Sequence, residues 1–182
     1  MLRKLFRMFT SKQTEDPEAM LYSAVFNETA AQGHLLGRRA TDRCTEMLGE
    51  ALKSVDEPPM MRAKRAYAGY KAVEEKYSEI LLEQMKPWVE ANLGGKIRSL
   101  NLSANIEELL PQAAEHARGQ FRENAASVFS RKTKDLLQAE LTWRLANADR
   151  LEQNAFEPPP WATEDEQLNA SKMMEIPSLL KG

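Results

Sequence analysis

A chain of 182 residues that is 42% apolar and 29% charged is built to fold, and only 8 glycines exclude fibrous and loop-rich β classes. A net charge of −2 excludes a general nucleic-acid coat, which needs a basic excess. The single cysteine, Cys44, excludes an intramolecular disulfide and any thiolate metal cluster made by this chain alone, and it fits a reducing compartment.

Residues 1–13 form a basic amphipathic segment. They carry Arg3, Lys4, Arg7 and Lys12 and no acid, a charge of +4. Leu2, Leu5, Phe6 and Phe9 fall at i, i+3, i+4 and i+7, on one helical face, and Arg3, Lys4 and Arg7 flank it. Such a segment suits a lipid interface, a partner's groove or the protein's own core. Its energetics are close to balance. Full burial of four large side chains gains about 6–12 kcal/mol, while ordering a dozen residues costs ~1–2 kcal/mol each. No apolar run approaches the roughly 18 residues of a spanning helix. Arg7 also breaks the apolar stretch that a secretory signal needs.

Residues 14–154 read as a helical domain. Asp16 is a suitable N-cap and Pro17 a suitable first helical residue. Met20, Ala24, Ala31 and Leu35 share a stripe. Gly33 and Gly37 predict a bend or an end, after which Ala40, Cys44, Met47, Leu48, Ala51, Leu52 and Val55 resume the pattern. Asp56-Glu57-Pro58-Pro59 is a stop and restart. A second helix follows, with a seam of Ala66, Tyr70, Val73, Tyr77 and Ile80 and with Leu81 and Met85 at its shoulder. Pro87 predicts a kink or a restart, and Gly94-Gly95 a C-terminus.

Ser103 is expected to cap a short turn that leads to Pro111. From Pro111 to Asn154 a stripe of Phe121, Ala125, Val128, Leu136, Leu137, Leu141, Leu145, Ala148 and Leu151 predicts the third helix. Unbroken, it would span ~66 Å, more than the ~40 Å width of a compact domain of this length. It therefore bends near Gly119, forms a rod or packs on a partner.

Residues 155–182 form a Pro-rich acidic docking arm. Pro158, Pro159 and Pro160 favour an extended stretch, and Phe156 and Trp161 flank it as anchors. Thr163 can cap a short helix that brings Leu168, Met173, Met174 and Ile176 into play, followed by Leu179 and Leu180. The helical domain is expected to fold without this arm.

Catalytic signatures are missing. His34 and His116 belong to no metal-binding motif, and neither GxSxG, GxGxxG nor a phosphate loop occurs. Glu74, Glu75, Glu79 and Glu83 read as a solvated helix face among lysines. Three basic clusters, Arg38/Arg39/Arg43, Arg62/Lys64/Arg65 and Arg131/Lys132/Lys134, are nearly cancelled by local acids; Tyr67 and Tyr70 beside the second are the residues that would stack on bases.

The expected fold class is therefore all-α: an elongated bundle or coiled-coil hairpin of about three long helices, with an amphipathic N-terminal segment and an extended C-terminal arm. The expected function is that of a non-enzymatic structural or adaptor subunit of a larger assembly, which holds protein partners with its terminal segments. A virion component, a secretion subunit and an assembly chaperone all fit. The alternative is a peripheral membrane protein anchored by the N-terminal amphipathic helix, residues 1–12. Neither cofactor, metal nor small-molecule substrate is expected, and nucleic acid is not the expected partner. The expected location is intracellular, cytoplasmic or at a membrane surface, or within a virion-like assembly.

Overall fold

Proline and short polar residues set the helix starts, and the interior of each helix follows its buried face. The computed structural model describes residues 16–148 and 155–179, with side chains through Glu175 in the last helix. These residues form four helices and no strand: α1 (Pro17–Leu52), α2 (Pro59–Ser99), α3 (Ser103–Ala146) and α4 (Glu164–Leu179). At the start of α1 the Asp16 carboxylate accepts the Glu18 amide hydrogen at 3.1 Å, the expected cap.

The helices are longer than their glycines and prolines predict. α1 passes unbroken through Gly33 and Gly37, and α3 through Gly119. α2 continues through Pro87, Gly94 and Gly95, and α3 begins at Ser103 rather than at Pro111. Pro87 and Pro111 are both exposed, so the carbonyls four residues back lose their helical partner where water can replace it. No described glycine has positive φ; the left-handed position that ends α2 belongs to Asn101, at φ 55°. The Leu102 amide donates to the Ile97 carbonyl at 3.0 Å and the Asn101 amide to Arg98 at 3.1 Å, the paired bonds of a Schellman cap. Leu102 and Ile97, the two residues such a cap brings together, are both buried. Leu102 then takes the cap position of α3, where its carbonyl accepts the Ile106 amide.

The chain divides into two units. The first comprises residues through Leu36 together with Lys76–Gly119. Its α1 stretch buries Leu21, Val25, Thr29 and Gly33, in steps of four. The predicted stripe of Met20, Ala24, Ala31 and Leu35 is instead the outer side: Met20 is 56% and Leu35 49% exposed. Close approach chose the inner face. A Cβ on Gly33 would lie 2.7 Å from the Cβ of Ala117, so only glycine lets the α1 backbone come this near α3. The Tyr77 hydroxyl donates to the Gly33 carbonyl, and the buried Thr29 hydroxyl donates to Val25 O at 2.7 Å. On α2 the centre of the buried face is Tyr77, Leu81 and Met85, while Ile80 is only half-buried. The Ser78 hydroxyl joins α2 to Glu115 of α3 at 2.6 Å.

The second unit comprises Gly37–Glu75 and the residues from Gln120 onward. Cys44, Leu48 and Ala51 of α1, Met60, Ala63, Ala66 and Tyr70 of α2, and Phe121, Ala125, Phe129, Leu136 and Trp143 of α3 are its core. Leu145, predicted within the α3 stripe, is 48% exposed. The Trp143 indole donates to the Val55 carbonyl at 2.9 Å and so ties down the connection between α1 and α2.

Candidate interaction surfaces

The most developed surface feature of the second unit is an aromatic cradle with the Pro-rich arm seated in it. Tyr67 and Tyr70 lie one turn apart on α2; Phe129 and Thr133 lie one turn apart on α3. The Trp161 ring centroid lies 5.3 Å from that of Tyr67 and 5.1 Å from that of Phe129. Tyr67 meets Phe129 edge-on at 5.2 Å, the arrangement that the charge distribution of aromatic rings favours. The Trp161 indole donates to the Thr133 hydroxyl at 2.9 Å, and that hydroxyl donates on to the Phe129 carbonyl at 3.0 Å. The Trp161 indole and the Thr133 hydroxyl thus both have partners. Tyr67 and Tyr70, considered above for base stacking, are committed to this packing.

Along the arm Pro158 is half-buried, Pro159 fully buried and Pro160 exposed. Lys64 reaches Glu157 at 2.5 Å, and the Arg144 guanidinium sits 5.4 Å from the Phe156 ring centroid. Behind Phe156, Glu140 and Arg144 form a buried pair at 2.8 Å. The second Glu140 oxygen accepts the Met60 amide at 2.9 Å, so this carboxylate serves one of the unpaired amides at the start of α2. A cavity of about 100 Å³ lies between this pair, Met60 and Phe156. Thr163 and Glu166 cap α4 reciprocally: the Thr163 amide donates to the Glu166 carboxylate at 2.8 Å, and the Glu166 amide to the Thr163 hydroxyl at 3.4 Å. Met174 is buried and Met173 half-buried. Leu180 and the side chains of Ile176 and Leu179 lie outside the described residues, as do Leu2, Arg3, Lys4, Leu5, Phe6, Arg7 and Phe9.

Glu74 is not on a solvated face. It is 2% exposed and bonded by Lys71 at 2.5 Å and Arg122 at 2.6 Å. Burial alone pushes its carboxyl up, but hydrogen bonds from Lys71, Arg122 and Tyr70 outweigh that and hold it at about 2. Burial, and then the Glu74 charge, push the Tyr70 hydroxyl up in turn.

The basic clusters are paired as the local acids suggest. Glu57 takes both Arg62 and Arg65, Arg43 pairs with Glu46 at 3.1 Å, and Lys132 with Asp135 at 3.7 Å. His34 is exposed, and the His116 ring packs against Phe26 at 5.5 Å. Cys44 is buried, which raises its thiol pKa. Among the described residues no three acids, histidines or cysteines are grouped to hold a metal, and no helix is long and apolar enough to cross a membrane.

Phe129, Glu140 and Trp143 were missed in the sequence. Phe129 does continue the four-residue steps of Phe121 and Ala125, and Glu140 with Arg144 is an i, i+4 pair inside an otherwise apolar stripe. A charge pair at that position is the signal for a buried polar clamp. An open groove of about 680 Å³ lies beside Val55 and Trp143, with Leu52, Ala139 and Ala146 in its wall. No family model, curated protein or solved structure matches the chain.

Proposed function

We infer that the protein is a non-enzymatic structural or adaptor subunit of a larger protein assembly, and that the outer stripe of α1 is a surface on which it holds a partner helix. One observation carries this reading. In its first unit α1 has two apolar sides: the inner one is filled, whereas Met20 and Leu35 on the outer one are 56% and 49% exposed. With Ala24 and Ala31 between them, they repeat at steps of 4, 7 and 4, the spacing that an amphipathic helix meets when it lies along another. The small residues in the middle allow near approach, and the large ones at the ends supply the apolar area.

The test is the mass of the untagged protein taken from its native source, by size exclusion with light scattering. The expected mass is well above the 20.7 kDa of one chain. Met20→Glu with Leu35→Glu should return it to a single chain without loss of helicity, because both side chains are outside the core. A single-chain mass for the unaltered protein overturns the reading. The peripheral-membrane alternative draws on the amphipathic pattern of Leu2, Leu5, Phe6 and Phe9. It predicts flotation with anionic vesicles that Phe6→Glu abolishes.

A further inference from the structure

The Pro-rich arm meets the second unit as an extended ligand meets its groove. A polyproline II segment has three residues per turn, so positions three apart share an edge. Glu157 and Pro160 are both exposed and mark the outward edge. Phe156 and Pro159, half-buried and buried, share one inward edge; Pro158 and Trp161, both half-buried, share the other. The lengths agree as well. Arg144, which meets Phe156, and Thr133, which meets Trp161, are eleven residues apart on α3, ~17 Å of helix. Phe156 and Trp161 are five residues apart, ~16 Å of polyproline II. The arm therefore runs extended and antiparallel to α3, in a groove lined by aromatic rings, the setting in which Pro-rich segments are recognised.

Groove and arm each hold their own shape. The Tyr70 ring centroid lies 5.6 Å from that of Tyr67 and 5.8 Å from that of Phe129, so the cradle rings support one another. In the arm the Pro159 carbonyl accepts the Ala162 amide at 3.2 Å and the Gln167 side-chain amide at 3.1 Å, and the Thr163–Glu166 cap follows. Arg144 meets Phe156, Lys64 meets Glu157, and Tyr67, Phe129 and Thr133 meet Trp161, each side chain to side chain. Charge complements shape, since Lys64 takes the acid that precedes the prolines. None of these contacts depends on which copy of the chain supplies the arm.

We propose that the groove between α2 and α3 is a recognition site for the arm of a second copy, read as an aromatic–acid–Pro–Pro–Pro–Trp segment in polyproline II form, so that copies brought side by side exchange arms through it. Exchange remakes the contacts it breaks, so it costs little in contact energy. Concentration decides the outcome. A tether of six residues, 149–154, keeps a chain's own arm at a millimolar effective concentration, and dilute chains therefore keep their own. Copies packed at that density exchange, and each exchanged arm ties two of them together. This goes beyond the α1 stripe and uses none of its residues.

The experiment mixes two full-length variants that each keep half of the site. Both carry Met20→Glu and Leu35→Glu, so that the α1 stripe adds no mass. Trp161→Ala keeps the cradle and spoils the arm; Tyr67→Ala, at a half-buried ring, keeps the arm and spoils the cradle. Light scattering at micromolar concentration should give a one-chain mass for each alone and about twice 20.7 kDa for the mixture. Pairing in the mixture should be roughly thirty-fold or more tighter than either variant with itself, as loss of a Trp anchor commands. A chain with both changes should pair with neither. If Tyr67→Ala loses helicity, Thr133→Val takes its place, because it removes the hydroxyl that accepts the indole and keeps the side-chain shape. A mixture that stays at one-chain mass overturns the proposal. So does pairing by either variant alone as tight as in the mixture, or pairing that survives in the doubly altered chain. The adaptor reading is judged separately, by the mass of the unaltered protein from its native source, where dilution leaves each arm at home. A large native mass without pairing of the variants removes arm exchange alone, and a one-chain native mass with pairing removes the adaptor reading alone.

Discussion

The two units are held together by different chemistry. In the first, the named contacts are short-range packing around a missing side chain: Gly33 against Ala117, with Tyr77 and Leu81 closing over it. In the second, fixed charges sit inside the apolar core. Glu140 is 1% and Arg144 6% exposed, Glu74 is 2% exposed, and an aromatic cluster receives the returning arm. Close packing tolerates no added atom, whereas a buried charge tolerates no lost partner. The two units should therefore fail under opposite kinds of substitution.

The largest effect is expected at the buried pair. Glu140→Ala strands Arg144 and leaves the Met60 amide without its acceptor, and should cost about 3–5 kcal/mol in urea unfolding. A cost below ~1 kcal/mol would mean that water replaces the carboxylate and that the second unit does not depend on it. The first unit is next. Leu81→Ala should cost on the order of 3 kcal/mol, as fully buried leucines do, and about twice as much as Ile80→Ala, because Ile80 is only half-buried. Equal losses would return the centre of the buried face to the Tyr70–Tyr77–Ile80 seam.

Glu74→Gln removes a charge that three donors serve and should cost about 2 kcal/mol at neutral pH. It also carries a pH signature. The folded carboxyl titrates at about 2 against an ordinary 4.5, so its contribution is complete above 4.5 and is lost as pH falls from there toward 2. Stability of the unaltered chain should therefore fall over that window more steeply than that of Glu74→Gln, and parallel curves would place the carboxylate in solvent. The smallest effect belongs to Tyr77→Phe. It deletes the hydroxyl bonded to the Gly33 carbonyl and should cost about 1 kcal/mol, read as a small downward shift in thermal midpoint.

The all-helical class and the chemistry of the helix starts were legible in the sequence, because caps and prolines act within a few residues. Asp16-Pro17, Pro58-Pro59 and Thr163 behave as local rules predict. The helix ends were not legible, because Gly94-Gly95 signals a terminus only if a glycine there adopts a left-handed conformation, and Asn101 takes that position instead. Faces were legible where apolar residues recur at unbroken helical steps, as with Cys44, Leu48 and Ala51. They misled where small residues lead. Thr29 and Gly33 have little apolar weight, so Met20 and Leu35 outvoted them, yet the close approach to Ala117 needs Gly33 inside. Glu74 was assigned to solvent because its neighbours in sequence are charged. Its partner Arg122 lies 48 residues away, beyond any local window. Of the candidate surfaces, the anchor role of Trp161 was legible from the Pro-rich stretch before it, but its receptor, Tyr67, Phe129 and Thr133, is assembled from two helices far apart in the chain.

That separation has a consequence for synthesis. Tyr77 and Gly33 are 44 residues apart, and Ser78 and Glu115 only 37. Lys64 and Glu157, which clamp the arm, are 93 apart. At roughly 5–20 residues per second of translation, the first unit's partners follow one another within about 2–9 s, whereas Lys64 and its neighbour Tyr67 wait about 5–19 s for the arm. The cradle is complete only once Thr133 is made, and Trp161 follows 28 residues later, so for about 1–6 s of that interval it stands on two helices and is open to the cell. A later segment of the chain closes it, so the nascent protein passes through a defined period in which this aromatic surface is bare. A stalled or prematurely ended chain would remain in that state.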